Sequence, residues 1–201
     1  MSKNEFDEFS KELIAMAQSG GLTLGDVDID QFESINTRYG RAGGDRVLAH
    51  VEQLLKSCLP EGFFVRRFGD EFYVYSSNCS LEAMFLELEE VRAKIAAHKV
   101  PYDGHEIEVQ VSGSVGEFGR TADNVVKLLN LCSEGLMLAK KQGRNRMVFA
   151  PGSREQKMVL KSSYYLSSQL EGLSKLSAKT QKSESALLRE AIDDLLRKYG
   201  L

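Results

Sequence analysis

The chain has 201 residues, of which 42% are hydrophobic and 27% charged, with no tryptophan. That is enough for one medium domain and a small one, and the composition excludes a disordered or fibrous chain. No apolar run could span a bilayer, and Met1-Ser2-Lys3-Asn4 opens a polar helix and not a signal peptide, so a cytoplasmic protein with no membrane partner is expected. The net charge of −3 is uneven: residues 152–201 hold nine basic and six acidic residues. A basic tail on an acidic body points to an anionic partner such as DNA. Cys58, Cys79 and Cys132 are scattered and read as buried free thiols of a reducing compartment.

Residues 5–18 form an amphipathic pattern, with Phe6, Phe9, Leu13 and Ala17 on one stripe and Gly20-Gly21 as its stop. Residues 22–30 read as a buried strand whose far end presents Asp28 and Asp30, with Asp26 on the same face as Asp28. A short helix over 31–38 and a glycine-rich break over 39–44 precede a strong helix over 45–58, closed by Pro60. Two apolar runs around Gly69-Asp70-Glu71 predict a tight β-hairpin with an acidic tip.

Ser80 is placed to cap a helix that runs to about residue 98. Ile107, Val109 and Val111 alternate as one strand; residues 124–142 read as a helix and 147–149 as a last strand. His50, His98 and His105 are dispersed and read as surface or structural. The element order predicts an α+β fold, a mostly antiparallel sheet with helices packed on it. Either acidic cluster alone reads as a solvated strand end. The two together favour an all-oxygen Mg²⁺ site for a nucleotide triphosphate.

Several separated motifs carry a resemblance. They are Asp28-Ile29-Asp30-Gln31-Phe32, Ile35-Asn36, Tyr39-Gly40, Gly44-Asp45 and Leu48; then Phe68-Gly69-Asp70-Glu71-Phe72; then Ala139-Lys140-Lys141-Gln142-Gly143-Arg144-Asn145-Arg146. Over residues 20–150 the chain resembles the GGDEF, or diguanylate cyclase-like, family. The resemblance implies a ferredoxin-like palm shared with nucleotidyl cyclases. It implies metal ligation by Asp28, Ile29, Asp70 and Glu71, with Mg²⁺ as the cofactor. It assigns guanine recognition to Asn36 and Asp45, and nucleotide contacts to Phe68, Gly69, Lys140 and Arg144. In an active member, catalysis would fall to Asp70 and Glu71.

This copy departs from the family pattern. Phe68 stands where the signature has its first glycine, or one glycine has been lost from the turn. Glu33 replaces a lysine, Thr37 an aspartate, and Gly62-Phe63-Phe64-Val65 replaces the Arg-x-x-Asp of the product-inhibition site. The segment Asp-x-Leu-Thr-Gly-Leu that normally opens the family's domain is missing, and with few residues ahead of the domain no upstream sensor is expected. A ring at the turn would block phosphate, and a shortened turn would misplace it. Catalysis demands placement within a fraction of an ångström, and binding tolerates more. A degenerate, nucleotide-binding domain over 1–150 is therefore expected.

Residues 151–155 read as a linker. After it, 157–166 can run as a strand, Ser167 or Ser168 can cap a helix to about 180, and Ser183-Glu184-Ser185 can open another over 186–199. Over 156–201 this resembles the ribbon-helix-helix DNA-binding family. About 45 residues with one strand cannot bury a sufficient core alone, so a homodimer is expected. Its ribbon would place Lys161, Ser163 and Tyr165 in a major groove, with Ser183 and Ser185 at a helix start on phosphate. A dimerisation tail that touches no DNA is the alternative. The combined expectation is a transcription factor that binds a guanine nucleotide, GTP or cyclic di-GMP, and a DNA operator. The alternative is a diguanylate cyclase dimerised by its tail.

Overall fold

A computed structural model describes residues 3–152, 163–180 and 184–199. The chain divides into two compact units, Met1–Gln156 and Lys157–Leu201. The first contains α1 (Lys3–Ser19), β1 (Thr23–Ile29), α2 (Phe32–Cys58), β2 (Phe64–Phe68), β3 (Glu71–Ser76) and α3 (Leu81–Ala97). There follow β4 (Val100–Tyr102), β5 (His105–Ile107), β6 (Val111–Glu117), α4 (Val125–Lys141) and β7 (Met147–Phe149). The main sheet has the order β2-β3-β1-β6-β7. Only β6 and β7 pair in parallel; the other pairings in it are antiparallel.

Strand β1 is central and covered on both faces. Val27 and Ile29 join one core with Val47, Val51 and Leu55 of α2 and Met84 and Leu88 of α3. Leu24 joins a second with Phe9 and Leu13 of α1 and Leu128 and Cys132 of α4. Side chains alternate along a strand, so Asp26 and Asp28 share the face of Leu24. Helices begin where small polar side chains meet the first free N–H groups: Ser80 accepts from Ala83 N, and Asn124 from Lys127 N.

In the first unit, β5, α2 and the cysteines differ from expectation. Ile107, Val109 and Val111 do not form one strand. Ile107 pairs with Val100 in a separate ladder, and Val111 opens β6 opposite Ile29. All three are buried in the same core, so their alternation reported burial and not a continuous ladder. The glycine-rich break is a single residue. Gly40, with φ 71°, alone departs from helical geometry inside α2, and the helix resumes before Asp45. Of the cysteines, all free, only Cys132 is buried.

The second unit contains α5 (Ser167–Thr180) and α6 (Glu184–Lys198). Of the expected strand, 157–162 lies outside the described residues and 163–166 has no strand. Helix α5 is capped by neither serine: Gln169 reaches back to the Leu166 N–H, as in a capping box. The apolar stripe expected to point inward is largely open in the single chain. Leu170, Leu176, Ile192, Leu195 and Leu196 are exposed, while Leu187 is buried. No helix of the described residues is long and apolar enough to cross a membrane.

Phe9 is fully buried and touches the rings of Phe6, Phe68, Tyr73 and Tyr75. Phe9→Ala is expected to destabilise the first unit by about 3–5 kcal/mol. Urea denaturation followed by circular dichroism measures it.

Candidate functional site

The sheet register assembles the acids. Asp28 of β1 lies directly opposite Glu71 of β3, and Asp26 opposite Tyr73. Phe68 pairs with Glu71, leaving a two-residue turn of Gly69 and Asp70. Gly69 takes a φ of 68°, a region an L side chain resists, which accounts for a glycine there. The turn is held from both flanks. Arg67 donates to the Gly69 carbonyl at 3.0 Å and to Glu52 of α2 at 3.3 Å. Arg66 pairs with Glu12 of α1 at 2.8 Å, and the Tyr75 hydroxyl donates to the same carboxylate at 2.6 Å. Phe68 does not sit at the tip. It ends β2, and its ring packs on Phe6, Phe9 and Tyr73.

Two carboxylates face to face across a ladder repel. Lys140, in the last turn of α4, meets this pair: its Nζ lies 2.6 Å from Asp28 Oδ1. Burial raises the Asp28 pKa, the Lys140 ammonium opposes that, and Asp70 and Glu71 add to the rise. The Tyr73 hydroxyl donates to Glu71 at 2.8 Å. Burial foremost, then the charges of Asp26 and Glu71, push that phenol up.

Asp26 is fully buried, and neither of its oxygens accepts a hydrogen bond among the described residues. Its pKa is raised well above the ordinary value, first by burial and then by Glu71. The hydrogen bond within its reach is one that a protonated Asp26 would donate to Glu71.

The kink in α2 brings Asn36 over Gly44. A Cβ on Gly44 would lie 1.9 Å from Asn36 Oδ1, so only glycine lets the amide rest there, beside exposed Asp45. Asp45 sits beyond the first turn after Gly40, where the helix dipole contributes little.

Lys140 and Arg144 do not share a helical face, because α4 ends at Lys141. Gly143 N bonds Lys140 O and Arg144 N bonds Ala139 O, a Schellman closure, and Arg144 follows with φ 64°. Arg144 lines a cleft of about 670 Å³ with Asp30, Gln31, Ser34 and Arg38. Asp30 is structural: buried, it accepts from Ser112 Oγ at 2.8 Å and from Asn145 N at 2.9 Å. It ties β1 to β6 and to the segment before β7. Ile29 is buried through its side chain and has only backbone to offer.

The first unit matches the family model "Diguanylate cyclase, GGDEF domain" over residues 2–146. The chain belongs to the GGDEF family. A ribbon-helix-helix domain model matches residues 162–200, so a GGDEF domain is followed here by a ribbon-helix-helix domain.

Among curated relatives, diguanylate cyclase A of Treponema denticola is 32% identical over 62% of this chain and 34% of its own length. Diguanylate cyclase DgcP of Pseudomonas aeruginosa is 33% identical over 72% of this chain and 22% of its own length. The chain therefore spans about a third or less of these two relatives. A GGEEF domain of a diguanylate cyclase from Vibrio cholerae superposes with a TM-score of 0.65 at 24% identity, over 75% of this chain and 97% of that one. Diguanylate cyclase SiaD of Pseudomonas aeruginosa, solved with its activator SiaC, gives 0.66 at 27%, over 74% and 58%.

Among the described residues of this GGDEF domain no three His, Cys, Asp or Glu side chains form a ready metal cage. The oxygen donors at the Asp28–Glu71 pair nonetheless suit Mg²⁺, which commonly takes one or two carboxylates and fills its shell with water and phosphate. Of the expected DNA-contacting residues, Ser163, Tyr165 and Ser185 are exposed in the single chain. Lys161 and Ser183 lie outside the described residues.

The sequence placed Asp26 and Asp30 with Asp28 in an acidic cluster that favoured Mg²⁺; instead Asp26 is fully buried and Asp30 is taken up by Ser112 and Asn145. Alternation already put Asp26 beside Asp28, but the closure of α1 and α4 over that face was not readable.

With its pKa raised in the folded state, Asp26 binds a proton more tightly folded than unfolded. Its contribution favours folding below the unfolded value near 4 and is lost as pH rises from there toward its folded pKa. Asp26→Asn is therefore expected to gain melting temperature over wild type at pH 7 to 8, with the gain shrinking toward pH 4. Thermal melts across that range check the trend.

Proposed function

We propose that this chain is a dimeric DNA-binding regulator whose GGDEF domain binds a guanine nucleotide together with Mg²⁺. The observation that carries the reading is a union in one chain. A carboxylate pair opposed by a lysine links β1 to the GGDEF signature hairpin, and a ribbon-helix-helix tail leaves its apolar stripe open.

Asn36 and Asp45 would accept hydrogen bonds from the guanine N1–H and 2-amino group, which adenine cannot supply. Asp28, Asp70, Glu71 and the Ile29 carbonyl would hold the metal. When bound, the metal would screen phosphate charge against this acidic face. Gly69, the Phe68 backbone, Lys140 and Arg144 would meet the phosphates. The Phe68 ring, packed under α1, does not close the turn to them.

Binding is favoured over turnover by Glu33, an anion where the family carries a phosphate-side cation, and by the single glycine of the turn. Lys161, Ser163 and Tyr165 would read the major groove, with Ser183 and Ser185 on a phosphate. Nucleotide regulates DNA binding only if its affinity differs between two arrangements of the protein.

The deciding experiment is fluorescence anisotropy on the gene's own upstream DNA, with and without GTP or cyclic di-GMP. A nucleotide-dependent change in affinity is expected. Turnover of GTP with Mg²⁺ that Glu71→Ala abolishes would instead make the chain a diguanylate cyclase.

The tail gives a further expectation. Leu195 and Leu196, exposed in the single chain, would be covered in a dimer. The double change Leu195→Glu, Leu196→Glu should yield a monomer by light scattering and weaken DNA binding to the non-specific level, with Kd on the order of 10⁻⁴ to 10⁻⁶ M at physiological salt.

A further inference from the structure

Lys140 occupies an unusual position. Its ammonium lies 2.6 Å from Asp28, one of the two opposed carboxylates, and Asp26 and Glu71 crowd the same face. The side chain is about one-third exposed and Asp28 less so, which makes the pair partly desolvated and hard to break without a substitute charge. The C-terminal end of α4, with its negative dipole, adds a second reason for the cation to stay.

A divalent cation bound to either oxygen of Asp28 would lie within a few ångström of the Lys140 ammonium, where the two positive charges repel. Lysine has a flexible four-carbon stem, so its charge can leave while its Cα stays. A nearby phosphate would give it a destination.

We infer that Lys140 is the resident counter-ion of the metal position, an exchangeable latch on Asp28 that makes metal and nucleotide binding mutually dependent. The inference rests on the nucleotide-binding reading above. In the free protein the ammonium competes with metal, so metal alone binds weakly. Phosphate draws the ammonium off Asp28, and metal then binds freely. By linkage, metal tightens nucleotide binding by the same factor that nucleotide tightens metal binding. Lys140 thus contributes in both states, to Asp28 in one and to phosphate in the other.

The test is Mn²⁺ binding, followed by the electron paramagnetic resonance of free Mn²⁺, on the full-length protein with and without GTP. Lys140→Gln keeps a polar, somewhat shorter side chain and removes the charge; circular dichroism melts establish that it folds. In wild type, GTP should tighten Mn²⁺ by about 5- to 150-fold, the ordinary range of coupling. Lys140→Gln should bind Mn²⁺ more tightly than wild type without GTP, and GTP should then tighten it by less than in wild type. Asp28→Asn should abolish the response in both backgrounds, which ties the measured site to this carboxylate.

Wild type that binds GTP, but whose nucleotide-free Mn²⁺ affinity equals that of Lys140→Gln, overturns the latch and leaves the nucleotide-binding reading intact. Wild type that binds neither Mn²⁺ nor GTP overturns both. If Lys140→Gln fails to fold, Lys140→Arg provides the second measurement. Its bulkier, more weakly hydrated cation should retain the competition, and nucleotide-free Mn²⁺ affinity far above wild type would refute the latch.

Discussion

Two like charges placed opposite each other on neighbouring strands set the terms for this molecule. Asp28 and Glu71 are cross-strand partners at the end of the central strand pair. Such a pair is destabilising unless a positive charge or a proton relieves it. The chain supplies both kinds of relief. Lys140 reaches in from the last turn of α4, and Tyr73 donates to Glu71. Asp26 adds a buried carboxyl whose surroundings favour its neutral form.

The hairpin that carries Glu71 is secured well beyond its own ladder. One arginine ties it to α1 and the next to α2, on opposite sides of the strand, as alternation requires. Phe68 takes the last position of β2, opposite Glu71, and leaves a two-residue turn of Gly69 and Asp70. Its ring is accommodated by α1, whose Phe6 and Phe9 receive it. The bulk of Phe68 is thus absorbed into packing, while Gly69 takes a backbone conformation that favours glycine.

The second unit follows a different logic. Its two helices expose a leucine-rich stripe in a segment too short for a core of its own. An apolar stripe left open on so small a unit marks an interaction surface, which is consistent with the ribbon-helix-helix match.

Much of this was legible in the residues. Periodicity located α1, α3 and α4, Ser80 and Asn124 marked two helix starts, and paired apolar runs around Gly69 marked the hairpin. Separated motifs identified the GGDEF and ribbon-helix-helix families, because turns and caps demand particular residues at local spacing. Other features needed the assembled protein. Alternation could not show that Ile107 and Val111 belong to different ladders, since burial in one core has the same period as a strand. Glycine content suggested a long break in α2, where close packing of Asn36 over Gly44 permits a helix with one kink. The pairing of Lys140 with Asp28, the full burial of Asp26 and the structural use of Asp30 all join positions more than 80 residues apart or depend on helices closing over a sheet face. Local chemistry chose the elements; the register between strands and the covering helices decided which charges would have to live together.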